Sequence, residues 1–153
     1  MTASRCLMIA SLLGFLAVFA GAFGAHGLKD SGYLTRKYSD TEEKEITALH
    51  VPASFKYYTD FETGVRYHMW HALAMLGTGL MMRRCPGRSL RVAAWCFLTG
   101  ILLFSGTLYV LVIGGPDFLD IRWGAIAPVG GTLLLIGWIA LAVGSWSFDE
   151  RAA

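Results

Sequence analysis

The sequence predicts an all-α fold, a polytopic membrane protein built as a bundle of four transmembrane helices with an extended outer segment between helices 1 and 2. Three observations lead there. Of the 153 residues 55% are hydrophobic and only 16% charged, with a mean hydropathy of +0.51, more apolar than an ordinary soluble domain. The charges gather in three clusters, at 29–66, 83–91 and 117–122. Between them lie long apolar runs, none alternating with the period of two that marks a membrane barrel strand.

The first run, residues 6–25, has the roughly 20 uncharged residues that carry a helix across a hydrocarbon core. Helix 2 is expected at 67–82, a shorter stretch between Arg66 and Arg83. Those arginines can snorkel, and the helix is expected to begin outside the core. Helices 3 and 4 are expected at 92–113 and 123–146, so that 1–153 forms a single membrane domain. Arg5, the apolar run and the small residues near 20–25 also resemble a signal peptide. The run exceeds the usual apolar region of about 7–15 residues, which favours retention as helix 1.

Orientation follows from the cations in short loops. Arg83, Arg84, Arg88 and Arg91 have no acidic residue among them, which assigns that loop to the cytoplasm. The turn at 114–122, with Asp117, Asp120 and Arg122, suits the outside, and Arg5 and Arg151 then fall inside. Both termini are thus expected in the cytoplasm. Cys6, Cys85 and Cys96 would all lie near that side, where thiols stay reduced. Their odd spacing reads as three ordinary free cysteines rather than a metal cluster.

The outer segment, 27–66, is the only sizeable part expected outside the membrane. Asp40-Thr41-Glu42-Glu43 reads as an N-cap followed by Glu at the third helical position, predicting a short helix to about Leu49. Pro52 ends it or opens the next helix. From Ala53 a helix can run into the membrane, with Phe55, Tyr58 and Phe61 on one side and Lys56, Asp60 and Glu62 on others. Tyr57, Tyr58 and Tyr67 suit the interface.

Small residues mark the expected packing faces, because helix association in lipid depends on close van der Waals contact. Helix 1 carries Ala10, Gly14, Ala17, Gly21 and Ala25, helix 4 carries Gly130, Gly137 and Gly144, and helix 3 carries Gly100, Thr107 and Gly114. Of these, Gly14, Gly21, Gly130 and Gly137 are the principal candidates for close helix approach. A tight bundle leaves little interior space, which weighs against a small transporter. No charge sits at the centre of any expected helix, removing the usual marker of an ion path.

Four motifs in order carry a family resemblance. They are Gly21-Ala22-Phe23-Gly24-Ala25-His26-Gly27-Leu28, then Thr63-Gly64-Val65-Arg66-Tyr67 leading into His71-Ala72-Leu73-Ala74. Phe104-Ser105-Gly106-Thr107-Leu108-Tyr109 and Ala127-Pro128-Val129-Gly130-Gly131 through Gly137-Trp138 follow. The chain resembles domain-of-unknown-function family 423, small four-helix integral membrane proteins, over nearly its whole length. The resemblance implies that fold and a bacterial inner-membrane home, and it implies no activity. The segment between Leu28 and Phe61 is longer than relatives usually carry, and relatives more often have Gln in place of His68.

All four histidines, His26, His50, His68 and His71, fall on the expected outer half. His68 and His71 share a helix face. With His26 beside them, the three imidazoles could take copper, zinc or haem. The alternative is structural, with the imidazoles serving as hydrogen-bonding glue between helices. The want of a fourth ligand favours it, and no cofactor is expected. Ser105 and Thr107 have no evident base beside them, so no catalytic set is expected and the chain does not read as an enzyme. A net charge of +2 with no basic face gives no reason to invoke nucleic acid. The function expected is that of a non-catalytic accessory or stabilising subunit, held in the lipid bilayer beside a membrane-protein partner or further copies of itself. A metal- or haem-binding protein and a small transporter are the alternatives.

Overall fold

The computed structural model describes residues 1–38, 43–46, 49–116, 118–120 and 123–152. Helix α1, Ala3–Ala22, starts at Thr2, whose hydroxyl accepts from the Arg5 N–H at 3.3 Å. It does not stop where its apolar run ends. The chain continues as a π-helix, Phe23–Asp30, whose wider turn leaves room for the Phe23 ring to lie over Gly27. Helix α2, Tyr33–Lys37, follows after Gly32 at φ 66°, a left-handed conformation that glycine adopts without strain. Helices α3, Ala53–Arg84, α4, Arg88–Gly114, and α5, Trp123–Ala152, complete the helical framework.

Three stretches are long and apolar enough to cross a membrane, Ala3–Asp30, Arg88–Gly114 and Trp123–Trp146. Helix α3 is the longest at 32 residues, roughly 48 Å by the α-helical rise. Its outer half carries Lys56, Asp60, Glu62 and Arg66, which dilute its apolar character.

The short helix expected from the Asp40 cap to about Leu49 is not formed by the described residues of that stretch. Glu43–Ile46 and Leu49–Pro52 form an antiparallel pair of strands, β1 and β2, with Lys44 opposite Val51 and Glu45 opposite His50. The fold is therefore mostly helical rather than all-α. A helix here would have carried Lys44 and Glu45 with only Ile46 and Leu49 as apolar anchors, too few to bury a face. Asp40, Thr41 and Glu42, the start of the expected cap, lie outside the described residues. Pro52 stands at the head of α3, where its missing N–H costs nothing.

The long helices pack as a row in the order α1, α3, α4, α5, each antiparallel to the next. Contacts fix the direction. Gly79 of α3 lies against Leu7 of α1 while Gly21 meets Val65, and Gly64 meets Leu108 and Tyr109 of α4. Gly137 of α5 faces Phe97 and Gly144 faces Leu90. Among the described residues α1 makes no comparable packing with α4 or α5, and α5 touches α3 only marginally. One core, with Met75, Ala93, Ala94, Phe97 and Ile101 at its heart, runs through the row. A second joins Leu28, Leu34, Tyr38, Tyr57, Phe61 and Val112 beneath the outer cap.

The cap is tied to the end of α4. The last carbonyls of a helix lack partners within it, and α2 supplies them. Tyr38 donates its hydroxyl to the Val112 carbonyl at 2.9 Å, Tyr33 donates to Ile113 at 3.2 Å, and Lys37 donates its ammonium to the same Ile113 oxygen. The Tyr38 ring stacks on Tyr57 with centroids 4.0 Å apart, so one short helix clamps α3 and α4 together. Gly115, at φ 108°, then turns the chain towards α5.

Candidate functional site

The buried polar side chains belong to α3 and α4: Ser54, His68, His71 and Thr78 from the first, Ser105 and Thr107 from the second. Helical spacing explains the pair of histidines, because residues three apart share a face. That face looks towards aromatic rings. His71 lies with its ring centroid 5.9 Å from Phe97 and 6.1 Å from Trp138, and 5.7 Å from Tyr67. Tyr67 in turn packs on Phe104 at 4.7 Å.

The two imidazoles are held differently. His71 donates Nδ1–H to the Tyr67 carbonyl one turn back, at 2.7 Å. A backbone carbonyl can only accept, so that nitrogen carries the proton. His68 has Nδ1 at 3.2 Å from the Tyr109 hydroxyl, while its Nε2 is buried with no partner. Ser105, one turn before Tyr109 on α4, also has a buried hydroxyl without a partner. Hydroxyls within helices commonly back-bond to the carbonyl four residues earlier, as Thr78 does to Ala74 at 2.8 Å.

His26 does not join this set. It sits on the π-helical segment with its side chain 81% exposed, and its Nδ1 lies 2.9 Å from the Asp30 carboxylate. His50 pairs with Glu43 across the strand hairpin at 3.6 Å. Among the described residues no group of three or more His, Cys, Asp or Glu is arranged to hold a metal ion. The expected convergence of His26 on His68 and His71 is thus not what the structure builds, because the π-helical turn aims His26 outward rather than at α3. The cysteines are separate too, with Cys6 buried and its thiol donating to the Met75 carbonyl at 3.4 Å. The site can donate hydrogen bonds and, through His71 Nε2 and its hydroxyl oxygens, accept them, in an apolar surround. The Ser105 hydroxyl has no hydrogen-bonded base beside it.

The glycine candidates divide. At Gly130 a Cβ would stand 2.8 Å from the Leu103 carbonyl carbon and the Phe104 Cα, and at Gly137 2.7 Å from the Phe97 ring. At Gly21 it would make an ordinary 3.5 Å contact with Val65, and at Gly14 it would meet nothing within 4 Å. The sequence offered Ser105 as a hydroxyl without a base, but it gave no sign that this hydroxyl would be left without a partner or that Tyr109 would meet His68.

Comparison with known proteins fits this picture of a membrane protein without an assigned reaction. A family model described as "Protein of unknown function (DUF423)" matches residues 20–131. A protein of Haemophilus influenzae called a UPF0382 membrane protein is 36% identical over 143 residues, 94% of each chain. The Bacillus subtilis membrane protein YwdK is 36% identical over 138 residues, covering 90% of this chain and 92% of its own. The Escherichia coli inner membrane protein YgdD is 30% identical over 151 residues, covering 95% and 92%. No solved structure matches. With a match this extensive, the chain belongs to the DUF423 family of membrane proteins, for which no activity is assigned.

Proposed function

We propose that this chain is a non-catalytic accessory or stabilising subunit of a membrane-protein complex, crossing the bacterial inner membrane four times with both termini in the cytoplasm. The observation that carries the reading is the open row of helices. The described part of α5 buries one stripe, Gly130, Leu134, Gly137 and Gly144, and leaves Leu135, Ile139, Val143 and Trp146 more than half exposed. Helix α1 likewise buries Cys6, Ala10, Leu13 and Ala17 and exposes Phe15, Val18 and Phe19. A bundle closed on itself would have used both flanks. Two outward apolar flanks give helix faces to other membrane proteins as well as to lipid.

The fourth crossing is α3. It packs antiparallel between α1 and α4 along the stretch 67–82, ends at Arg83 and Arg84, and so returns the chain to the side that holds the four-arginine loop. The E. coli relative's description as an inner membrane protein supports the location. The described part of the cap, α2 with the β1–β2 pair, is the natural second contact with a partner, because a two-stranded sheet leaves one edge of each strand unpaired within it.

Mild extraction of the tagged protein from its host, followed by measurement of native mass, tests this. The expected result is a particle well above the 16.7 kDa chain with other polypeptides in fixed ratio. Removing 37–53 is expected to loosen that association while α1, α4 and α5 stay inserted. Recovery of a bare monomer under several mild detergents would overturn the subunit reading.

A further inference from the structure

The charges of this chain are sorted by end. Between Glu62 and Asp117 the sequence has no acidic residue, and the turn that joins α3 to α4 lies within that stretch. Arg83 and Arg84 close α3, Arg88 and Arg91 open α4, and all four are exposed. Arg5 stands at the same end, because Leu7 of α1 lies against Gly79 of α3. Helix α5 returns there with Asp149, Glu150 and Arg151, so this end holds six arginines and two carboxylates. Among the described residues none of the four guanidinium groups beside the turn has an acidic or hydrogen-bonding partner. Arg88 and Arg91 even sit in the first turn of α4, where the helix dipole opposes a cation and no acidic side chain offsets it.

Depth and shape decide which anion suits this end. The spans Ala3–Asp30 and Arg88–Gly114 both have a limit here, so the arginines lie where hydrocarbon gives way to lipid heads. Residues three and four apart share a helix face, which puts Leu80 in line with Arg83 and Arg84. On that face an open recess of about 490 Å³ has Leu80, Met81, Arg83 and Arg84 in its wall. Leu80 is 56% exposed, and the Met81 sulfur lies 3.8 Å from the Ser145 hydroxyl of α5. The recess is thus apolar on its membrane side and doubly cationic at its rim. A free anion would leave the apolar part wet. A zwitterionic head would bring its own ammonium against the arginines.

We propose that this recess binds an anionic phospholipid, its phosphate on Arg83 and Arg84 and an acyl chain along Leu80 and Met81. A guanidinium can donate two parallel N–H bonds to a phosphate, which an ammonium cannot. Basic pockets at helix ends are suited to anionic lipid heads for that reason. The site needs no partner protein and holds whichever side of the membrane this end faces, so it stands apart from the subunit reading.

The test uses the full chain purified in an alkyl maltoside. Dioleoyl phosphatidylglycerol and dioleoyl phosphatidylethanolamine are titrated separately, and bound lipid is counted by native mass spectrometry. Glycerophosphoglycerol, the same head without chains, is then added as a competitor. Phosphatidylglycerol is expected to fill a first site at least about tenfold more tightly than phosphatidylethanolamine, and the chain-free head is expected not to displace it. The double variant Arg83→Gln, Arg84→Gln is expected to lose at least about tenfold in affinity for phosphatidylglycerol, while Arg88 and Arg91 keep the turn on its side of the membrane. Lys29→Gln with Arg36→Gln removes two cations from the outer cap instead and is expected to change nothing. Leu80→Glu keeps both guanidinium groups and sets a carboxylate in the recess, and it is expected to abolish the preference even if the double arginine variant does not fold. Equal affinity for the two lipids, displacement by the chain-free head, unchanged binding by the arginine or Leu80 variants, or an equal loss in the cap variant would overturn the proposal.

Discussion

Two helices of this protein carry stripes of small residues that look alike on paper and behave differently in the fold. On α5 the glycines at 130, 137 and 144 fall opposite Phe104, Phe97 and Leu90 of α4, and both series step by seven. Gly137 and Gly144 receive the side chains of Phe97 and Leu90, Gly130 receives the bare backbone of Leu103 and Phe104, and between 130 and 137 Leu134 fills the space over Gly100. On α1 the comparable stripe meets α3 through Ala10 and Ala17, which are buried, while Gly14 faces open space and Gly21 makes ordinary contact. A small residue creates an opportunity for close approach. It becomes an interface only where the neighbour offers a large side chain or bare backbone in register.

The difference can be broken most forcefully at Phe97, whose side chain is fully buried and seated on Gly137 and beside His71. Phe97→Ala removes that ring from the centre of the core and is expected to cost about 3–5 kcal/mol. Reversible unfolding in mixed micelles, followed by loss of helical signal, would measure it. A cost under about 1 kcal/mol would mean the α4–α5 seam is held elsewhere.

Gly130→Ala comes next. Its Cβ would press on the Leu103 and Phe104 backbone, which cannot rotate away, so the helices must separate. The expected loss is about 2–3 kcal/mol, the upper part of the range for overpacking. Gly137→Ala strains the same seam more gently, because it meets the Phe97 ring rather than backbone. About 1–2 kcal/mol is expected, and pairing it with Phe97→Leu should recover part of the loss, since two residues in contact do not add independently. Strict additivity in that double-variant cycle would show that the two do not share a contact.

The sequence made some of this legible and hid the rest for physical reasons. Charge-free length marked the runs within Ala3–Asp30, Arg88–Gly114 and Trp123–Trp146, because exclusion of charge is what the hydrocarbon core demands of any span. The recurrence of 130, 137 and 144 was visible, but the bulky partners were not, since register between helices is set by three dimensions. In the cap, Asp40 to Glu43 imitates the start of a helix, while the strands from Glu43 depend on pairing with residues three to nine positions away. Cross-strand partners outweigh a local cap when no apolar stripe exists to anchor the helix. The histidines stood out as a possible metal set. Their separation came from the π-helical turn, whose only local hint is Phe23 lying four residues before Gly27.

The smallest expected effect is the most discriminating. Gly14→Ala places a methyl group where no atom lies within 4 Å, in the middle of a helix. Glycine at such a position carries an entropic cost relative to alanine of roughly 0.5–1 kcal/mol in water. Removing it without a clash is expected to leave stability unchanged or raise it by about 0.5 kcal/mol. The same substitution at Gly130 is expected to do clear harm, so the pair separates residue type from residue context. If Gly14→Ala instead weakens the isolated chain, α1 must approach another helix more closely than its packing on α3 provides. If it leaves the isolated chain intact but weakens a purified complex, the open space at Gly14 is filled by a partner, and the exposed flank of α1 is where that partner sits.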